Sequence, residues 1–175
     1  MRNGRGRKRS KKHLIIIRGL PGVGKEPYAR KLLDEFGCGQ IFSASYYHAM
    51  FNWNRQYFSR NHMWNRLDVF RAMEDGVDPI IVYNIHSFLS DMWPYITMGM
   101  RQGDYQIKMM ELPQGYPKNP FSINQLYRIC HCKIPKQRFR FWEENWQEAD
   151  DIWDVLNDSS SIYRWQYSRE EWNLY

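Results

Sequence analysis

The residues with the clearest capacity for chemistry are Gly19, Leu20, Pro21, Gly22, Val23, Gly24, Lys25 and Glu26. Glycines at this spacing let successive backbone N–H groups curl round an anion, and the closing lysine neutralises phosphate oxygens. A hydroxyl beside that lysine ordinarily holds Mg²⁺, yet here the position is Glu26, followed by Pro27. Pro27 suits a first helical turn, where an N–H lacks a helical partner, but it removes one donor from an anion site. Glu26 brings negative charge toward the same place. The stretch therefore keeps the cradle and the cation of an ATP-binding loop and lacks its metal hydroxyl, which weakens the expectation of Mg²⁺. The alternative is a glycine-rich turn that binds nothing.

Such a loop works only between a strand and a helix. Before it, His13, Leu14, Ile15, Ile16, Ile17 and Arg18 form a short, largely β-branched apolar run that reads as a buried strand. After it, Tyr28, Ala29, Leu32, Leu33 and Phe36 recur at helical spacing, and Gly37 supplies a stop. Further strands are expected at 40–43, 79–83 and 105–109. A helix carrying Met63, Leu67, Phe70 and Met73 lies between the second and third. Another, capped by Ser90 with Pro94 in its first turn and Met92, Ile96 and Met100 on one face, precedes the fourth. The second strand is expected to end in 44–47, and the stretch 50–60 reads as polar, aromatic surface loop with some helix. This order specifies an α/β fold with a doubly wound, mostly parallel sheet and helices on both faces, and the glycine-lysine loop makes it a P-loop fold. Ligands of such sheets sit beyond the carboxyl ends of the strands, so 43–47 and 83–87 are expected to wall the site with the loop.

Toward the carboxyl end, 122–132 reads as a short helix with Arg128 and His131. The next begins at Pro135, and its stripe of Phe139, Trp142 and Trp146 reads as core, not as a base-stacking surface. Residues 151–156 add a turn or two, 157–161 read as a linker, and Ser168–Glu171 carries a capping-box pattern for a terminal helix. The expected divisions are a basic arm over 1–12, the α/β domain over 13–156, and a linker with short helix over 157–175.

Seven of the 25 basic residues fall within 1–12 with no acid, which leaves 18 basic against 19 acidic residues elsewhere. The body is near neutral, so an affinity for nucleic acid is expected of the arm before the domain. A weaker alternative joins the arm to the aromatics Tyr46, Tyr47 and Trp53, near Arg55 and Arg60, as a stacking platform. No apolar run is long enough to span a membrane. Cys38, Cys130 and Cys132 form no disulfide framework, which points to cytosol or nucleus, and Cys130-His131-Cys132 lacks the second cluster a zinc site needs.

Several stretches in series resemble a known family: 18–25, 41–43, 62–65, 72–76 with 79–82, and Met92-Trp93-Pro94-Tyr95. Together they are similar to the P-loop domain of the NEDD-four-binding protein two-like family, in the polynucleotide-kinase branch, over about 14–146. The resemblance implies ATP binding, and phosphate transfer to a nucleic-acid 5′-hydroxyl as the activity of relatives. It also implies a hydroxyl where Glu26 stands, aspartates where Ser45 and Tyr46 stand, and Asp-Asn-Thr-Asn where Tyr83-Asn84-Ile85-His86 stands. Of its lid pattern, Arg128, Ile134 and Pro135 fit. Phosphoryl transfer needs a metal, cations and a carboxylate for the nucleophile's proton. The expected function is thus an ATP-binding, kinase-like pseudoenzyme or scaffold, with Lys25 and Arg128 as candidate phosphate contacts. An active 5′-hydroxyl kinase is the alternative.

Overall fold

The computed structural model describes residues 11–113 and 119–160. Four strands, β1 (Lys12–Arg18), β2 (Gln40–Phe42), β3 (Ile80–Tyr83) and β4 (Tyr105–Glu111), pair in parallel in the order β2-β3-β1-β4. β1 is central, with Ile16 beside Val82 on one side and Met109 on the other.

Side chains alternate across a strand, and this divides the apolar run of β1 between two cores. Leu14 and Ile16, with Ile80 and Val82, face α3 (Phe58–Glu74), α4 (Leu89–Gln102) and α7 (Ile152–Asn157). Ile15 and Ile17, with Ile81 and Tyr83, face α1 (Lys25–Phe36). Burial on both faces is why the strands read as continuous apolar runs. The chain leaves β1 toward β2 across one face and returns past β1 to β4 across the other, as right-handed crossovers require. A third core lies at the carboxyl ends of the strands. There α5 (Ile123–Ile129) and α6 (Lys136–Glu144) enclose Leu20, Leu126 and Phe139, with Trp142 and Trp146 packed against them.

The four strands and their helices follow the sequence reading, and several details differ. Residues 44–50 form a helix, α2 (Ala44–Met50), because Ser43 caps it by accepting the Ser45 N–H at 3.2 Å. A 3-10 turn at Arg55–Tyr57 then leads into α3, which starts at Phe58. The buried stripe of α3 is Asn61, Asn65, Val69, Ala72 and Met73, and Phe70 is exposed. Two asparagines on that stripe hid it from an apolar count. Helix α4 is capped at Phe88, whose N–H bonds the Asp91 carboxylate at 3.2 Å, so Pro94 lies inside the helix and not in its first turn, while Met100 is exposed. The helix of 122–132 ends at Ile129, leaving Cys130 to Cys132 in a turn. Trp146 lies beyond α6, yet the core reading of the stripe holds. Most of the basic arm, part of the 113–120 loop and the expected terminal helix lie outside the described residues.

Candidate phosphate-binding site

β1 delivers the chain to the loop at Gly19, whose N–H bonds the Ile85 carbonyl at 3.1 Å. A side chain could not stand there, since a Cβ would come within 2.6 Å of the Leu112 carbonyl oxygen. Gly24, in the left-handed region, ends the loop and starts α1 at Lys25. The helix therefore directs its unpartnered amino-terminal N–H groups at the hollow of the loop. Pro27 falls in that first turn, and the first helical bond runs from Tyr28 N–H to the Gly24 carbonyl at 3.1 Å.

Lys25 is buried and turned inward. Its ammonium donates to the carbonyls of Gly19 at 2.6 Å and Leu20 at 2.8 Å. Burial pulls its pKa down to about 7. The loop thus holds its cation against its own backbone. Glu26, in the first turn of α1, accepts two bonds from Arg30, at 2.7 and 3.2 Å, and its charge reaches the Tyr83 hydroxyl at the end of β3. The carboxylate that the sequence sets against the anion site is thereby offset by an arginine.

The α5–α6 pair rests on the loop. Ile129 Cγ2 and Cys130 Sγ lie 3.1 and 3.3 Å from where a Gly22 Cβ would be, and Leu20 and Val23 enter the third core. Arg128, the other candidate phosphate contact, is exposed on α5, one residue before Ile129. So Gly19 to Lys25 come together as one cradle, Glu26 lies on its rim, and Arg128 stands on the element above it.

The ends of β1 and β3 supply the floor. Arg18 is 1% exposed, lies over the Trp146 ring at 4.2 Å, donates to the Gln147 carbonyl at 2.8 Å and sits 3.7 Å from Glu111. Its Nε and Nη1 have no hydrogen-bond partner, and burial lowers its pKa. Gln147 also donates its N–H to the Ser87 carbonyl at 3.0 Å and accepts from the Leu89 N–H at 2.7 Å. After β3, the Asn84 side-chain carbonyl accepts the Ala44 N–H at 3.0 Å, which ties α2 to the sheet. His86 is buried in a left-handed conformation at φ 51, with Nε2 unpartnered and its ring edge-on to Tyr95. Burial first, then His62, Arg18 and Lys25, hold its pKa well below the usual imidazole range, so it is neutral.

The positions at which the resemblance implies aspartates and a metal hydroxyl carry Ser45, Tyr46, Tyr83 and Glu26. Ser45 Oγ is 2.7 Å from Ser43 Oγ. Tyr46 stands edge-on to Tyr83, whose hydroxyl is buried without a hydrogen bond, and burial pushes that phenol up, so it keeps its proton. Among the described residues, no three His, Cys, Asp or Glu side chains gather in a way that could hold a metal ion.

Sequence reasoning marked 83–87 as a wall but gave no role to Arg18 or His86. An arginine ending a β-branched strand is the signal that was available for the first. For His86 there was none, because its burial depends on α4. The stacking platform is also altered. Arg60 is enclosed by Phe51, Tyr57 and Trp64 at 4.1 to 4.3 Å, and Tyr47 bonds Asp68, so neither is presented outward. No helix among the described residues is long and apolar enough to cross a membrane.

Comparison with known proteins fits this geometry. No family model matches the chain. Human NEDD4-binding protein 2 is 31% identical over 149 residues, which is 83% of this chain. The chain spans only 8% of that protein's length. Among solved structures, a chain of the Pnkp1/Rnl/Hen1 RNA repair complex matches 81% of this chain with a TM-score of 0.60 at 16% identity, over 46% of its own length. APE1195 matches 81% of both chains with a TM-score of 0.53 at 13% identity. With its parallel sheet and lysine-bearing loop, this chain has a P-loop kinase-like α/β fold and is similar over most of its length to one segment of NEDD4-binding protein 2.

Proposed function

We propose that this domain binds a nucleotide, ATP or a close relative, through residues 19–25 and holds it without transferring its phosphate. The observation that carries the binding half is Lys25, buried at the start of α1 and within 2.8 Å of two loop carbonyls. A phosphate entering the hollow offers that ammonium an anion in place of neutral dipoles and meets the helix N–H groups. Arg128 is proposed as a further contact from α5. The fold likeness to a chain of an RNA repair complex supports a nucleotide or nucleic-acid ligand class, and the likeness to a NEDD4-binding protein adds a protein partner to the proposal.

The half that denies transfer rests on Tyr83. A base must accept the nucleophile's proton, and a phenol driven up by burial keeps its own. Ser45 and Tyr46 offer no carboxylate either. We read the domain as a pseudoenzyme or scaffold, with the basic arm as a proposed route to nucleic acid.

Binding and turnover are tested together. ATP at millimolar concentration is expected to raise the melting temperature, and Lys25→Ala to abolish the rise, because a ligand of the folded state stabilises by mass action. No labelling of a 5′-hydroxyl oligonucleotide is expected. No thermal shift would sink the binding reading, and multiple turnover lost in Lys25→Ala would establish the active kinase instead.

A further inference from the structure

We propose that the loop takes nucleotide phosphates free of Mg²⁺, and that Mg²⁺ competes with this site for the nucleotide. The inference rests on the nucleotide-binding reading above and specifies its ligand.

Mg²⁺ requires a near-octahedral shell of oxygens, and nucleotide sites usually provide one or two carboxylates, directly or through water. No unpaired one is offered by the motif positions. Glu26, the one acid among them, is held by Arg30 through two bonds that offset its charge. Ser45 is paired with Ser43, and Tyr83 presents a protonated hydroxyl. A metal arriving with the nucleotide would therefore meet, from these positions, only a carboxylate already paired with arginine.

What the loop does present is positive or donating. Lys25 lies against the Gly19 and Leu20 carbonyls and, with its pKa lowered to about 7 by burial, takes up its proton fully as a phosphate approaches. Helix α1 directs twelve residues of helix dipole at the hollow, and Arg18, 3.7 Å from Glu111, lies behind with two nitrogens lacking a hydrogen bond. The fields of Arg18 and Lys25 both reach His86, which remains neutral and adds no negative charge. Coulombic gain scales with the charge that the ligand keeps. A metal-bound polyphosphate has already spent part of that charge on its ion, and it sets a divalent cation near Lys25. A bare polyphosphate delivers its full charge to the lysine and the dipole. A serine or threonine at position 26 would have given the metal a ligand; glutamate bonded to arginine does not.

The test is calorimetric titration of the full chain with ADP at pH 7.5 and matched ionic strength, once with EDTA and once with excess MgCl₂. The dissociation constant is expected to be about five-fold lower with EDTA, a preference of the size one screened charge contact supplies. Glu26→Ser, which restores the hydroxyl on an exposed turn, is expected to bring the two constants together or reverse their order. Equal or tighter binding by wild type in MgCl₂ overturns the inference and leaves nucleotide binding intact. Absence of ADP binding in both buffers overturns the nucleotide reading and the inference with it.

Discussion

At the scale of single residues, Lys25 carries the most consequence. Burial lowers its folded pKa to about 7 from 10.5, so between those values the unfolded chain binds a proton that the folded chain refuses. Stability from this group therefore rises with pH across that window and is flat below it. We expect wild type to gain up to about 4 kcal/mol relative to Lys25→Met between pH 7 and 10.5. Urea unfolding of both proteins at the two pH values measures the difference, and parallel curves would disprove it. Tyr83 gives a second expectation. Its hydroxyl is buried with Tyr46 and Ser45 close by but neither at full hydrogen-bond geometry, so Tyr83→Phe removes a poorly satisfied group. The variant is expected to be as stable as wild type or up to about 1 kcal/mol more so, by denaturant midpoint; a clear loss would show that the hydroxyl has a partner. Neither residue's state could be read from sequence. The lysine was legible as a phosphate contact, but burial set its charge, and burial is made by Leu20, Cys130 and the elements above them.

Elements divide by how far their signals were local. Strand β1 and helix α1 were legible almost to the residue, because β-branched apolar residues, a glycine turn and Gly37 act within a few positions. Helix α3 was legible in existence and not in orientation. Asn61 and Asn65 are buried because they bond His48 at 3.0 Å and the Tyr95 hydroxyl at 2.8 Å, and partners 13 and 30 residues away leave no trace in a hydrophobic count. The α5–α6 pair has its own core, separate from the two that flank the sheet. Phe139, fully buried there, supplies a test: Phe139→Ala is expected to cost about 3–5 kcal/mol within this unit. Because the unit seats on Leu20 and Val23, amide exchange should quicken across 123–144 while β1 and β3 keep their protection. Uniform loss of protection would show instead that the third core unfolds only with the rest.

For the whole molecule, the parallel sheet with its loop at the carboxyl edge followed from the order of elements, as did the expectation that the site lies there. The chain's acid response did not. His62 is pulled down to about 4, by burial first and then by His48 and Arg66, and burial lowers His48 and His86 as well. Each has a folded pKa below its unfolded value, so on acidification the unfolded state protonates first and stability falls from about pH 6.5 toward 4. Thermal melts should show the melting temperature dropping across that interval, and His62→Phe should lessen the drop. A melting temperature unchanged between pH 7 and 5 would refute it.

Gln147, together with Trp146 beside it, carries a consequence of another kind. This glutamine holds the guanidinium of Arg18 through its carbonyl, Ser87 through its N–H and Leu89 through its side chain. Two stretches distant in sequence, the end of β1 and the link from β3 into α4, are thus crossed by one short piece of chain. A cut between α6 and α7 would release a strap over the rear of the phosphate loop while leaving the loop's own sequence whole. Nicked protein should then lose nucleotide affinity before it loses its sheet, which makes this strap the place where processing of the chain could be read out as a change in binding.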